Sequence, residues 1–301
     1  MLAAALGLTG NIHANDDARP ENEYPRLMPV SGLQGSLRTV GSDTLENLTM
    51  LWAEQFKATY PVVEVKVEAA GSATAPPALL EGSADVAPMS RLMTDAEVSA
   101  FEQRHGYKPS PVVVAIDALA VYVHKDNQVP GLTLAEVDAI FSAGRDCGAP
   151  SAIDDWNILL PETGWEDSAI LPYGRNSISG TNAYFRQHAL CGGDFRDSLQ
   201  EMPGSASLVR AVGASRNSIG YSGIGYATAA VRAVPLTRSP DRPFVEASPE
   251  NALAGTYPLA RLLYVYINRA PDQPLEEVTR AFVELALSDV GQKLVSRAGF
   301  S

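Results

Sequence analysis

The chain has 301 residues, of which 46% are hydrophobic and 19% are charged, and its formal net charge is −12. This composition is that of a globular protein with a sizeable core, folded as one large domain or as two of about 130 residues. The acidic balance and the lack of any Lys/Arg-rich run exclude a surface that follows a nucleic-acid backbone, so no nucleic-acid partner is expected. An anionic ligand would have to be held by local donors, namely backbone N–H groups, hydroxyls and one or two arginines.

The N-terminal segment has the features of a leader. Residues 1–14 (MLAAALGLTGNIHA) are similar to the apolar part and cleavage end of a secretory signal peptide. The basic start of such a peptide is missing, so we interpret the segment as a truncated signal peptide. An ordinary disordered leader is the alternative. Residues 15–36 are rich in Asp, Glu, Asn, Pro and Gly and predict a flexible lead-in. No later window has the length of a transmembrane helix, so the mature protein is expected to be soluble.

From Leu37 onward, short β-branched runs alternate with helical stretches. Strands are predicted at Leu37–Val40 and Val62–Glu68, and helices at about Leu45–Thr59 and Ala75–Glu81. An order of strand, helix, strand, helix predicts an α/β fold with a mainly parallel sheet flanked by helices.

Two long apolar segments, Pro111–His124 and Leu259–Asn268, stand more than a hundred residues apart. We interpret them as hinge strands that cross between a split first lobe, residues 37–116 plus 260–301, and a continuous second lobe, residues 117–259. A single large sheet with an insertion is the alternative. Other helices are predicted at Thr133–Phe141, where a capping box fits, and at Leu275–Leu287 and Asp289–Ala298.

The chain has two cysteines, Cys147 and Cys191. Both lie in polar, turn-rich surroundings that favour exposure. An even pair of this kind predicts one disulfide in an oxidising compartment. Two reduced, buried thiols are the alternative.

Three segments combine a strand end, Gly with Ser or Thr, and the start of a helix: Val40–Leu45, Ala70–Ala75 and Gly174–Thr181. Each offers N–H donors at the positive end of a helix dipole beside hydroxyl donors, which suits an oxyanion. Any one of them would be read as an ordinary helix N-cap. Together, and with Arg175 in the third, they predict an anion site.

Motifs of catalysis are not found. Gly220–Gly223 lacks the spacing of a nucleophile elbow, and Gly174–Thr181 lacks the lysine of a nucleotide-binding loop. The four histidines show no metal-ligand spacing. The segment Tyr221–Tyr226 is interpreted as a tight turn between core elements. The sequence therefore predicts no cofactor, no metal and no enzymatic activity, and a hydrolase triad is an alternative without a motif behind it.

Several of these runs, in this order, closely resemble the phosphate-binding proteins of bacterial ABC importers over residues 37–301. The resemblance implies a two-lobed periplasmic binding-protein fold, with a mainly parallel sheet flanked by helices in each lobe and two crossing hinge strands. It also implies a periplasmic protein that delivers inorganic phosphate to a membrane permease and catalyses nothing. A monomer is the default expectation, because docking requires the lobes to move freely. The runs that carry it are Gly41–Pro61, Glu68–Arg91, Ala115–Asn127, Leu132–Ser142, Gly174–Phe185 and Ile219–Gly223.

The resemblance assigns phosphate-binding roles residue by residue. All the residues except one arginine are uncharged, which would let a net acidic protein hold a dianion by neutral donors. In the first lobe they are Thr44, the backbone N–H of Leu45, and Ser72; in the second lobe they are Arg175, Ser179, Gly180 and Thr181. Ser42 and Ser90 are further candidates.

One departure concerns specificity. Some members of the family place an Asp after the Ser that here is Ser90, where it accepts a hydrogen bond from protonated phosphate and rejects fully ionised sulfate, but this chain has Arg91 there. Our candidate for the acceptor is Asp117, inside the first crossing strand. The alternative for Asp117 is a hinge residue paired with Arg91, and Arg91 itself would either form a salt bridge near the cleft or contact phosphate.

A fixed acceptor favours a ligand that still carries a proton, so the sequence predicts that Asp117→Asn weakens phosphate binding or lets sulfate compete. One alternative function is binding of another oxyanion, such as sulfate, molybdate or a phosphonate. A phosphatase is a second alternative, for which the sequence shows no catalytic motif.

Overall fold

The structure, a computed structural model, describes residues 24–160 and 169–301. The predicted truncated signal peptide, residues 1–14, and residues 15–23 of the predicted lead-in lie outside the described residues. The rest of the lead-in is bound to the fold. The carbonyl of Pro25 accepts from the N–H of Asp289 at 2.9 Å, and the N–H of Val30 donates to the Tyr60 hydroxyl at 3.1 Å. Leu33 is buried.

Strands and helices alternate along most of the described chain. The first part consists of β1 Gly35–Val40, α1 Glu46–Thr59, β2 Val63–Glu68, α2 Ala75–Glu81, β3 Val86–Met89 and α3 Asp95–His105. The next part is β4 Ser110–His124, β5 Leu132–Thr133, α4 Leu134–Phe141, β6 Leu171–Arg175, α5 Gly180–Ala189, β7 Gln200–Met202 and α6 Ser205–Ala214. The last part is β8 Ser218–Gly223, β9 Val231–Val234, β10 Leu236–Thr237, α7 Pro249–Leu253, β11 Ala260–Ile267, α8 Glu277–Leu287 and α9 Asp289–Arg297.

The predicted elements form where apolar spacing and capping agree. In α1, Leu48, Trp52 and Phe56 recur every four residues and are buried on one face. At the start of α4, Thr133 accepts from the N–H of Glu136, and the Glu136 side chain accepts from the N–H of Thr133, so the predicted capping box is confirmed. The apolar segments around Asp117 and Tyr264 form β4 and β11.

The strands are joined in the order β2-β1-β3-β11-β4-β8-β6-β7, with β9 also paired to β4. Pairing is parallel between β1 and its neighbours β2 and β3, and between β6 and its neighbours β7 and β8. The pairs made by β4 and β11 are antiparallel. The first part of β4 pairs with β11 and its second part with β8, so this strand passes from one group of strands to the other.

The apolar core is divided in the same way. One set of clusters includes Trp52, Phe56 and Phe282 and draws on residues 33–115 and 263–300. The other includes Phe141, Trp156 and Phe185 and draws on residues 118–259. We call the described residues before 117 and after 259 the first half, and those of 117–259 the second half. Aliphatic and aromatic burial of this kind is the main source of stability in each.

Two local predictions have clear outcomes. The disulfide between Cys147 and Cys191 is confirmed, with the Cα atoms 5.4 Å apart. The interpretation of Tyr221–Tyr226 as one tight turn is wrong. Tyr221–Gly223 complete strand β8, because their backbone groups pair with β4, and only Ile224–Tyr226 form a single helical turn.

Candidate functional site

In the first half, two turns and one strand end bring buried hydroxyls together. Ser42 follows β1 and accepts from the N–H of Thr44 at 3.2 Å, so it caps the turn that leads into α1. Its hydroxyl donates to Ser90, at the end of β3, at 3.0 Å. Ser72, which opens the turn before α2, lies 3.2 Å from the Ser90 hydroxyl. These hydroxyls meet because parallel strands end at the same edge of the sheet.

In the second half, the turn after β6 presents the N-terminus of α5. Ser179 caps this helix by accepting from the N–H groups of Thr181 at 3.2 Å and Asn182 at 3.4 Å. The first turn of α5 therefore carries the positive end of the helix dipole, with Gly180 and Thr181 at its tip.

The two halves meet at these turns. The hydroxyls of Thr44 and Thr181 are 2.7 Å apart, and the N–H of Ala73 donates to the carbonyl of Ile178 at 3.0 Å. Gly180 lies so close to Ser72 and Ser90 that a Cβ there would fall 2.7 Å from the Ser90 hydroxyl. We call the resulting group the hydroxyl cluster; it consists of Ser42, Thr44, Ser72, Ser90, Ser179 and Thr181, all buried.

Arg175, at the end of β6, is fully buried and is neutralised from across the interface. Its Nη2 lies 2.8 Å from Oδ1 of Asp43, and its Nη1 donates to the Ser205 hydroxyl at 2.9 Å. Asp43 in turn accepts from the N–H and the hydroxyl of Ser205, both at 2.9 Å. A buried guanidinium needs such a partner, because an unpaired charge in the interior is costly.

The phosphate-binding candidates of the first half do not all lie in the hydroxyl cluster. Thr44, Ser42, Ser72 and Ser90 all belong to the hydroxyl cluster. The N–H of Leu45, to which the resemblance gives a ligand role, donates to the carbonyl of Ser42 at 3.2 Å within its own turn. To bind an anion, this N–H would have to give up its long hydrogen bond to the Ser42 carbonyl.

The alternative that pairs Asp117 with Arg91 is wrong. Asp117 is fully buried, and its Oδ2 accepts from Nε and Nη2 of Arg261 at 2.9 and 2.8 Å. The two residues lie opposite each other on β4 and β11, so strand register makes the pair. Oδ1 of Asp117 also accepts from the N–H of Ile224 at 3.3 Å.

Arg91 forms a two-pronged salt bridge with Glu97, each N–O distance being 2.8 Å. Of the two alternatives weighed for Arg91, the structure therefore has the salt bridge, and its guanidinium is directed at the start of α3. Burial acts to raise the pKa of Glu97, but the hydrogen bonds from Arg91 and Thr94 outweigh it, so the pKa lies below its ordinary value.

Sequence reasoning missed Asp43, Ser205, Tyr226 and Arg261. The Tyr226 hydroxyl donates across the interface to the carbonyls of Asp43 at 2.7 Å and Thr44 at 3.2 Å. Burial, with a contribution from Asp43, raises the pKa of Tyr226 above its ordinary value, so the hydroxyl keeps its proton. A signal for Asp43 existed, because a lone arginine among neutral donors requires a carboxylate and Asp43 stands next to Thr44.

A separate open groove of about 570 Å³ is lined in part by Tyr226. Small side chains and the exposed Arg210 form most of its walls, and the buried donors of the hydroxyl cluster are not among them. It is therefore a poorer anion site than the cluster. Its lining residues are Asn47, Ala206, Arg210, Gly213, Ala214, Gly225, Tyr226, Ala227, Thr228 and Ala230.

Comparison with known proteins decides the family. The family model described as PBP superfamily domain matches residues 29–290. The phosphate-binding protein PstS of Pseudomonas aeruginosa strain PAO1 is 50% identical over 299 residues, covering 99% of this chain and 91% of that protein. The chain belongs to the PstS family. Its likeness to this relative of the PstS family spans both halves and every segment of the hydroxyl cluster.

A more distant relative and a solved structure agree with this. Protein SphX of Synechococcus elongatus is 30% identical and covers 91% of this chain and 83% of its own. The phosphate ABC transporter substrate-binding protein of Clostridium perfringens, solved with bound phosphate, superposes with a TM-score of 0.74 at 26% identity, covering 88% of this chain and 98% of its own. The expected α/β periplasmic binding-protein fold is therefore confirmed. Within residues 24–160 and 169–301, every helix is too short or too polar to cross a bilayer.

Proposed function

We propose that the chain binds inorganic phosphate between its two halves and delivers it to the permease of an ABC importer. The observation that carries this proposal is the contact of the hydroxyl cluster across the interface at the start of α5. Arg175 is buried in the same interface, where it pairs with Asp43 next to Thr44. Tetrahedral oxyanions are bound by such dense sets of hydroxyl and N–H donors at helix starts. The names of the P. aeruginosa and C. perfringens relatives support phosphate as the ligand.

The phosphate-binding set that we propose is Thr44, Leu45, Ser72, Arg175, Ser179, Gly180 and Thr181, with Ser42 and Ser90 as neighbours. Because the hydroxyls of Thr44 and Thr181 come from opposite halves, an anion that separated them would be held by both. Hydroxyls both donate and accept, so the cluster can also accept a hydrogen bond from the O–H of a monohydrogen phosphate. Asp117 is not in this set, since its carboxylate is engaged by Arg261 and Ile224.

We further propose that residues 37–116 plus 260–301 and residues 117–259 move as two lobes. The division of the core and the passage of β4 from one group of strands to the other support this. Opening would separate Thr44 from Thr181 and admit the anion, and closing would bury it. The closed form of a monomer in the periplasm would then dock on the permease, and no chemical step on phosphate is involved.

Isothermal titration of the phosphate-stripped protein with inorganic phosphate tests the ligand. We expect one site per chain with high affinity, and an isotherm that a hundredfold excess of sulfate leaves unchanged. Molybdate and methylphosphonate in the same assay test the alternative oxyanions. No heat with phosphate, or equal competition by sulfate, would contradict the assignment of phosphate.

A turnover assay distinguishes a phosphate-binding protein from a phosphatase that uses the same oxyanion site. The protein is incubated with a chromogenic phosphomonoester, with and without added divalent metal, and release of the chromophore is followed. A binding protein gives no turnover in either condition. Turnover that scales with protein and disappears in Thr181→Val would assign an enzyme instead.

A further inference from the structure

Asp43 connects the first half to two groups of the second half. Its Oδ1 is paired with Nη2 of Arg175 at 2.8 Å, 132 residues away in the chain. Its Oδ2 accepts from the N–H and the hydroxyl of Ser205, 162 residues away, both at 2.9 Å. These contacts require the two halves to lie against each other, and their donors include a full positive charge and a helix N-terminus.

The same contacts orient Arg175. Its Nε donates to the carbonyl of Met202, and its Nη2 donates to the carbonyl of Pro203 as well as to Asp43. Its Nη1 donates to Ser205. Among the described residues, the bonds account for four of the five guanidinium N–H groups, and the fifth, on Nη1, is the one that we assign to an anion. Asp43 thus acts on the ligand through Arg175.

Tyr226 adds an uncharged connection at the same place. Its hydroxyl donates to the carbonyl of Asp43 at 2.7 Å and to that of Thr44 at 3.2 Å. Tyr226 belongs to the second half, and the two carbonyls belong to the turn before α1 in the first half. This hydrogen bond is also made only when the halves are together.

We propose that Asp43, Arg175, Ser205 and Tyr226 form an interlobe latch that stabilises the closed form and limits the rates at which phosphate enters and leaves. The inference rests on the proposed function. An interaction that exists in one of two conformations shifts the equilibrium toward that conformation by its own free energy. Phosphate passes through the open form in both directions, so weakening the latch raises both the association and the dissociation rate constants. Asp43 is a positioning residue in this scheme.

Simple electrostatics makes a different prediction for the same residue. Asp43 is a negative charge close to the proposed anion site, so its removal would attract phosphate more strongly. Association would then become faster and dissociation slower. The sign of the change in the dissociation rate constant separates the latch from the charge effect.

The first test measures phosphate binding to Asp43→Asn by stopped flow. An asparagine amide turns its NH2 group toward either Arg175 or Ser205, both donors, so the latch is broken in either orientation. We expect dissociation to become at least about tenfold faster and association also to become faster. The radius of gyration of the stripped protein, from small-angle X-ray scattering, is expected to increase. Slower dissociation, or rates and radius equal to wild type, would overturn the proposal.

The second test uses Tyr226→Phe, which removes a latch hydrogen bond and leaves every charge in place. Both rate constants are expected to rise by about threefold. The matched control is Tyr107→Phe, whose hydroxyl donates to Asn268 at 2.7 Å within the first half and whose loss is expected to change neither rate. Wild-type rates in a correctly folded Tyr226→Phe would contradict the latch even if Asp43→Asn failed to fold.

Failure of the latch and failure of the proposed function give different results. If the wild-type protein binds phosphate and neither variant changes the rates or the radius of gyration, only the latch is wrong. If the wild-type protein binds no phosphate, the proposed function is wrong. The radius of gyration of the stripped wild-type protein, compared with that of the two variants, then still tests the latch.

Discussion

Thr44 and Thr181 lie 137 residues apart in the chain, and their hydroxyl oxygens are 2.7 Å apart in the buried interface between the halves. Each residue follows a glycine-containing turn at the start of a helix, one from each half. An anion that inserts between the two hydroxyls and accepts a hydrogen bond from each would be bound by both halves. This relationship makes the two threonines the most informative positions for mutation.

Replacing Thr181 by valine keeps the shape of the side chain and removes its hydroxyl. We expect phosphate binding to weaken by about 2 kcal/mol, or roughly thirtyfold in Kd, because a hydrogen bond to a charged ligand is lost in a buried site. Isothermal titration measures this. Thr59→Val, which removes a hydroxyl bonded to its own helix, is the matched control and should bind like wild type. Equal affinities in the two variants would remove Thr181 from the site.

Gly180 and Gly41 should respond to alanine in different ways. A Cβ at Gly180 would meet Ser72 and Ser90 of the opposite half, so Gly180→Ala is expected to oppose closure and weaken phosphate binding at least tenfold, with little change in Tm. A Cβ at Gly41 would meet the backbone of Pro88 in the same half, so Gly41→Ala should lower Tm. Thermal melting and titration of both variants check this. A large loss of Tm in Gly180→Ala would contradict the assigned contact.

The Asp117–Arg261 pair is expected to stabilise the fold. Asp117→Asn leaves Arg261 buried without its counter-charge, which should lower the free energy of unfolding by about 3 kcal/mol in urea titrations. The control is Asp126→Asn, at an exposed pair with Lys125, where we expect no resolvable change. If Asp117→Asn kept full stability and bound sulfate, Asp117 would instead be the ligand acceptor that the sequence predicts.

The Arg91–Glu97 pair predicts a pH dependence. The pKa of Glu97 in the folded protein lies below its ordinary value of 4.5, so folding favours the ionised form. The pair therefore contributes stability above pH 4.5, and this contribution is lost as the pH falls through the folded pKa. Urea unfolding between pH 3 and 7 should show a shallower acid loss in Glu97→Gln than in wild type. Parallel profiles for the two proteins would be inconsistent with this pair.

Reduction of the disulfide should destabilise the second half. Cys147 and Cys191 close a loop of 44 residues, which corresponds to about 4 kcal/mol of stabilisation through the unfolded chain. We expect a phosphine reductant to lower Tm, and the double variant Cys147→Ser with Cys191→Ser to have the lowered Tm with or without reductant. A wild-type Tm that reductant does not change, with reduction verified by thiol titration, would refute the expectation.

Much of the fold was predictable because local signals were strong. The apolar spacing of Leu48, Trp52 and Phe56 and the capping box at Thr133 set α1 and α4 within a residue or so of their observed bounds. Tyr221–Gly223 were misjudged, because a glycine-rich run can form either a turn or a buried strand. Pairing of Tyr221–Gly223 with β4, about a hundred residues away in the chain, decides in favour of the strand.

The site was predictable in part. The Gly-Ser-Thr turns and Arg175 stand out by composition, and the hydroxyl cluster brings together the candidates Ser42, Thr44, Ser72 and Ser90. The partners of the charged residues did not stand out. Asp117 lies opposite Arg261 because of the strand register. Arg91 forms a salt bridge with Glu97 in the first turn of α3.

The sequence by itself determined the alternation of strands and helices, the disulfide, the resemblance to a family, and which turns carry hydroxyls and N–H donors. These features depend on neighbours within a few residues or on short motifs. Only the tertiary structure decided which charge pairs with which, and that Asp43 and Tyr226 connect the two halves beside Arg175. The physical reason is that a buried charge or hydroxyl takes the partner that the packing of distant strands and helices brings within about 3 Å.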